Sequence, residues 1–78
     1  MVEYRRKPRI NDKIRLGGGT PLQQSIFLLR ELGNWTHPIS VISKLKTFKY
    51  SGKTYRASNA DVHKALEQLV NMGVLDKR

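Results

Sequence analysis

Ser58-Asn59-Ala60-Asp61-Val62-His63-Lys64-Ala65-Leu66-Glu67-Gln68-Leu69-Val70-Asn71-Met72-Gly73-Val74-Leu75 carries both the start and the stop signals of one amphipathic helix. Ser58 is able to accept hydrogen bonds from the free N–H groups of the first turn, and Asp61, three residues on, favours the positive helix end. Gly73 supplies the left-handed cap, and β-branched Val74 follows at once, which predicts a strand directly after the helix. Val62, Leu66, Leu69 and Val70, supported by Ala65, fall on one stripe, while Ala60, Lys64, Glu67 and Asn71 project from the other side. One face is therefore built to pack. The free face near the N-terminus offers Ser58, Asn59, His63 and Lys64, short or basic donors of the type that reach base edges and phosphates. A core helix with a solvated polar face has the same pattern, so the charge distribution has to separate the two readings.

The chain has fifteen Lys and Arg against six Asp and Glu, a net charge of +9 over 78 residues. The excess is clustered. Residues 1–19 hold six basic and two acidic side chains, and residues 44–56 hold Lys44, Lys46, Lys49, Lys53 and Arg56 with no acid, while the remainder sums to zero. Self-repulsion of this size opposes a compact state, and a polyanionic partner is the physical counterpart of clustered like charge. Nucleic acid is the leading class. A membrane surface fits less well, because the basic segments lack a wide apolar face and no run approaches the roughly 18 apolar residues of a spanning helix.

Length restricts the remaining classes. The chain has room for one domain with a single modest core, which argues against an enzyme with its own deep pocket. There is no cysteine, which removes disulfides, thiolate metal sites and a Cys nucleophile. His37 and His63 lie in separate elements and the acids are scattered singly, so no catalytic pair or metal-ligand spacing is readable and no cofactor, metal or small-molecule ligand is expected. The N-terminus passes from Met1 directly to Arg5-Arg6-Lys7 without the apolar core of a signal peptide, so a cytoplasmic, nucleoid-associated protein is expected.

Punctuation divides the chain at Gly17-Gly18-Gly19, predicting a basic, partly flexible arm over 1–19 and a folded domain over 20–78. Ile14 and Leu16 are expected to close the core or form a short edge strand. Thr20, Pro21 and Gln23 form a capping box with proline in the first helical position. The helix they open is expected to run to about Leu32 and stop at Gly33, with Leu22, Ile26 and Leu29 on its main stripe and Phe27, Leu28 and Leu32 widening it as additional core. Thr36 or His37 is expected to cap a second helix that Pro38 opens, through Ile39, Val41, Ile42 and Leu45. Between this helix and the last, Lys46 to Arg56 alternates Lys, Thr and aromatics around Ser51-Gly52, which suggests a loop or a two-stranded ribbon. Its Phe48, Tyr50 and Tyr55 either stack on bases, as in RNA or single-stranded DNA binding, or tuck inward and leave the lysines in water.

The order helix, short strand, helix, helix, strand, with the ending Val62-x-x-Ala65-Leu66-x-x-Leu69-Val70-x-x-Gly73-Val74-Leu75, resembles the winged helix-turn-helix family over residues 20–75. Its look is that of compact prokaryotic or archaeal plasmid and virus regulators. The resemblance implies a mainly α fold with a small β component (α+β), of three helices plus short strands, and a third helix in the major groove of double-stranded DNA, with a homodimer on DNA as the usual arrangement. Two departures stand out. About ten residues separate the second and third helices, where a helix-turn-helix has three or four, and only Asp76-Lys77-Arg78 follow Leu75, which leaves no returning strand and a reduced wing.

Carried across, the resemblance gives Ser58, Asn59, Ala60, His63 and Lys64 as contacts to bases or their phosphates, with Gln68 a weaker candidate. It has Thr36, His37 and Pro38 meeting a DNA backbone, and Val74 pairing with the strand near Trp35. Basic segments 5–15 and 44–56, through Arg5, Arg6, Lys46, Lys49, Lys53, Tyr55 and Arg56, are expected to clamp phosphates. The functional expectation is a sequence-specific double-stranded DNA-binding transcription regulator. Its rivals are an RNA or single-strand binder using the 46–56 aromatics, and a winged helix that docks an acidic protein.

Overall fold

The computed structural model describes residues 2–8, 10 and 16–78. The described residues form a small α+β fold of three α-helices and four strands in two sheets: β1 (Tyr4–Arg6), α1 (Pro21–Phe27), α2 (Pro38–Leu45), β2 (Thr47–Tyr50), β3 (Lys53–Arg56), α3 (Asn59–Asn71) and β4 (Leu75–Lys77). A 3-10 turn, Arg30–Gly33, lies between α1 and α2.

α3 has the ends its sequence predicts. The Ser58 hydroxyl accepts from the Asp61 N–H and the Asp61 carboxylate accepts from the Ser58 N–H, each at 3.1 Å. Gly73 takes φ +80° after the helix, a conformation that costs an L-residue roughly 1–2 kcal/mol. Val62, Ala65, Leu66 and Leu69 are buried against Ile26, Phe27, Leu32, Val41, Ile42 and Leu45 from the preceding elements. Full burial of each large apolar side chain is worth about 1.5–3 kcal/mol. Gln23 and Gln24 are buried as well. Gln24 accepts from the Leu16 N–H at 2.9 Å, and Gln23 donates to Gln68 at 2.7 Å, joining α1 to α3 through amides that are both satisfied.

The first helix is shorter than its apolar pattern predicts: α1 ends at Phe27, not near Leu32. Leu29 is extended, with φ −62° and ψ 130°, and the chain resumes as a 3-10 turn. Arg6 supplies the reason. Its guanidinium donates to the carbonyls of Phe27 and Leu29 at 2.6 and 2.7 Å, satisfying helix-end acceptors that a continuing helix would have bonded internally. Phe27 and Leu32 remain in the core, while Leu28 is half exposed.

The N-terminal segment is part of the body and not only an arm. β1 lies between two partners, antiparallel to β4 with Tyr4 opposite Lys77 and Arg6 opposite Leu75, and bridged on its other edge to Thr36. The Tyr4 N–H donates to the Thr36 carbonyl at 2.9 Å and the Thr36 N–H returns a bond to Tyr4 at 2.8 Å. The segment after Gly73 therefore pairs with the N-terminus, and β1 separates it from the Trp35 region that it was expected to meet. Tyr4 is only 3 % exposed, and Ile10 packs at the margin of the core. Leu16 is buried in that core; Ile14 lies outside the described residues.

Residues 47–56 form the two-stranded ribbon. Ser51 and Gly52 have φ 50° and 79°, the paired positive values of a type I′ turn, whose twist matches that of a two-residue hairpin. The hairpin is closed at its base by the Ala57 N–H donating to the Lys46 carbonyl at 3.2 Å.

Candidate nucleic-acid interface

The disposition of acids decides where positive charge is left uncompensated. Tyr4 and Lys77, opposite one another on β1 and β4, both reach Glu67 of α3, at 2.6 Å from the Tyr4 hydroxyl and 2.7 Å from Lys77 Nζ. The Lys77 ammonium and then the Tyr4 hydroxyl hold the Glu67 carboxyl below the usual range against the opposing effect of burial, while burial and the nearby carboxylate push the Tyr4 phenol up. On the other face of this sheet Asp76 takes Lys7 at 3.0 Å and Arg5 at 3.6 Å. Glu3 takes Arg78 at 3.0 Å and Glu31 takes Lys44 at 3.4 Å. Asp61 is engaged in the cap of α3, and the Ser58 backbone N–H, followed by its hydroxyl, holds the carboxyl low. Every described carboxylate thus has an internal partner.

Most of the cations that remain are concentrated in one part of the chain. Among the described residues, the exposed Arg30, Lys46, Lys49, Lys53, Arg56 and Lys64 have no carboxylate at ion-pair distance. Arg30 lies in the 3-10 turn; four of the others lie in or beside the hairpin, and Lys64 is on the first turns of α3. Asn59, Ala60 and His63 are exposed on the same helix, and Ser58 is exposed at its cap. Arg56 precedes Asn59 by three residues, so their Cα atoms are separated by at most about 11 Å. The hairpin base and the start of α3 form one continuous stretch of surface.

Other expected contact residues have internal duties. Arg6 caps α1, as described. Arg5 and Arg78 lie over the Trp35 ring, with guanidinium carbons 4.5 and 4.4 Å from its centroid, a cation–π arrangement. Thr36 is buried, and its hydroxyl donates to the Glu31 and Asn34 carbonyls at 2.6 and 3.0 Å. His37 caps α2 by accepting the Ile39 N–H on Nδ1 at 3.1 Å, so of the two caps expected for α2 the structure uses His37. Tyr55 is half-buried and stacks on Phe48 with centroids 5.5 Å apart and ring planes 17° apart, while Phe48 packs against the core. The remaining basic positions of the expected clamp, Arg9, Lys13 and Arg15, lie outside the described residues.

Sequence reasoning missed the Tyr4, Lys77 and Glu67 cluster, and with it the means by which the acid on the exposed side of α3 is neutralised. The available signal was the spacing of Val2 and Tyr4 at alternate positions, which a strand would place on one face. Among the described residues no group of three or more His, Asp or Glu is arranged to hold a metal ion, and no helix is long and apolar enough to cross a membrane. No protein-family model matches this chain, no curated protein matches it, and no solved structure does.

Proposed function

We propose that the protein is a double-stranded DNA-binding transcription regulator with a winged-helix type of arrangement, in which α3 enters the major groove. The observation that carries this reading is the separation of charge: the described acids are engaged by the two terminal segments, α2 and the α3 cap, and Lys46, Lys49, Lys53, Arg56 and Lys64 stay uncompensated on the hairpin and the first turns of α3. Asn59, His63 and Lys64 stand on the exposed side of that helix, with Asn suited to a bidentate contact with adenine and Lys to guanine or phosphate. β1 pairs with β4, so the strand that follows α3 is held in an antiparallel pair by the N-terminal segment. Two copies on a palindromic site would be the corresponding assembly.

The single-strand or RNA reading is less favoured, because Phe48 and Tyr55 stack on each other and Phe48 packs inward. Selection from a pool of random duplexes tests the proposal. Enrichment of a defined motif, with Asn59→Ala costing about 1–3 kcal/mol on that motif and much less on unrelated duplex, is expected. A pool that never departs from random composition would overturn sequence-specific regulation.

A further inference from the structure

The hairpin has two chemically different faces. Cross-strand partners share a face, so Phe48 with Tyr55 and Tyr50 with Lys53 form one, and Thr47 with Arg56 and Lys49 with Thr54 form the other. On the first, Phe48, Tyr50 and Tyr55 are all half-buried. On the second, all four residues are exposed, and the two cations have no described carboxylate at ion-pair distance. Lys49 and Arg56 are diagonal neighbours on this face, about 7–8 Å apart, and each is directly opposite a threonine hydroxyl. Like charges on adjacent positions, flanked only by neutral hydrogen-bonding groups, form a surface complementary to an anion.

We propose that the Thr47-Lys49-Thr54-Arg56 face is a phosphate-tracking surface that lies along the sugar–phosphate backbone of duplex DNA beside the groove entered by α3. The inference rests on the duplex-binding reading above and adds a division of labour to it: this face supplies affinity without sequence information, and α3 supplies discrimination. Several features favour this occupant. The backbone spacing of Lys49 and Arg56, about 7–8 Å, is close to the separation of neighbouring phosphates on one DNA strand, about 7 Å once the helical rotation is added to the roughly 3.4 Å axial rise. The threonines add neutral donors of the type that contact phosphate oxygens. The paired positive φ values at Ser51 and Gly52 define a two-residue turn that fixes the strand register, so the backbone positions that carry the cations are set before binding. Arg56 is three residues from Asn59, which makes the surface continuous with the reading helix.

The test measures salt dependence of binding to a fixed, non-cognate duplex for the full chain, Lys49→Ala, the Lys49→Ala/Arg56→Ala double variant, Thr47→Val/Thr54→Val, and Arg30→Ala, whose side chain is exposed in the 3-10 turn. Unfolding midpoints establish that each variant is folded. Removing two phosphate contacts should lower the slope of log K against log salt by about 1.8, so that a fourfold rise in salt weakens the double variant about tenfold less than the parent. Arg30→Ala, outside the hairpin, should leave the slope within about 0.3 of the parent. Thr47→Val/Thr54→Val should reduce affinity with the slope retained. A folded double variant with the parental slope would overturn the phosphate-tracking face while leaving duplex binding intact. An Arg30→Ala effect as large as that of Lys49→Ala would replace the face by a diffuse field. Failure of the parent to bind any duplex would remove the underlying reading, and the inference with it.

Discussion

Replacing Tyr4 measures how far the N-terminal strand belongs to the fold. Its ring is 3 % exposed and joins the core, and its hydroxyl donates to Glu67 at 2.6 Å. Truncation to alanine removes an aromatic from a packed interior, a class of change that costs about 3–5 kcal/mol. A chain of this size has about 4–12 kcal/mol in all, so Tyr4→Ala is expected to remove a large fraction of the stability. With an m value on the order of 1.5 kcal/mol/M, the urea midpoint should fall by on the order of 2–3 M. Trp35 fluorescence is the appropriate probe, because Arg5 of β1 lies over its ring. Tyr4→Phe retains the ring and loses only the hydroxyl bond to a carboxylate that keeps Lys77, so a loss of about 1–2 kcal/mol is expected. In that variant the Glu67 carboxyl should titrate closer to the ordinary glutamate range, as read by NMR. A Tyr4→Ala midpoint within about 0.5 M of the parent would refute the placement of this strand in the core; if the alanine variant does not fold, an unchanged Glu67 titration in Tyr4→Phe refutes the hydroxyl contact.

Arg6→Gln should destabilise by about 1.5–3 kcal/mol through loss of the Phe27 and Leu29 carbonyl contacts; if it instead leaves the unfolding midpoint unchanged and lowers the salt slope of DNA binding, Arg6 is a phosphate contact and not a helix cap. Gly52→Ala forces a β-carbon onto φ 79° and should cost about 1–2 kcal/mol, seen as faster hydrogen exchange of the β2–β3 amides, whereas Ser51→Asn should slow that exchange. Stability should be nearly flat from about pH 5 to 9. Below this window it should decline, because Glu67 and Asp61 have lowered pKa values: their contribution is complete above the unfolded values near 4 and is lost as pH falls through the native ones. Above it the Tyr4 contribution, from a raised pKa, is complete below the unfolded value near 10 and is lost as pH rises past it. Urea midpoints measured across pH check both limbs, and a midpoint that rises on acidification from about pH 5 to 3 contradicts the first.

The parts of the fold legible in the sequence were those written in local chemistry. Ser58 with Asp61, Thr20 with Gln23, and Gly73 each act within a few residues of themselves, and the helix starts they predict are where the structure has them. The alternating 47–56 segment around Ser51-Gly52 became a hairpin for the same reason. What escaped depended on residues far apart in the chain. The end of α1 is set by Arg6, separated by 21 residues from Phe27, and apolar periodicity through Leu28, Leu29 and Leu32 contains no trace of it. Glu67 meets Tyr4 across 63 residues, so its removal from the exposed charge of α3 was equally hidden. Clusters of Arg and Lys therefore had the same appearance in sequence whether they were to serve as caps and ion pairs, as Arg5, Arg6 and Lys7 do, or to stay uncompensated, as Lys49 and Arg56 do.

The central claim is that duplex DNA is the partner of the surface joining the hairpin to α3. Its most direct test is an anisotropy titration of the full chain with one labelled duplex and with each of its separated strands, at about 50 and 200 mM salt. The account predicts that the duplex is bound more tightly than either strand at both concentrations, and that its affinity falls steeply between them. Strands bound as tightly as the duplex, or a duplex affinity that does not change with salt, would contradict it.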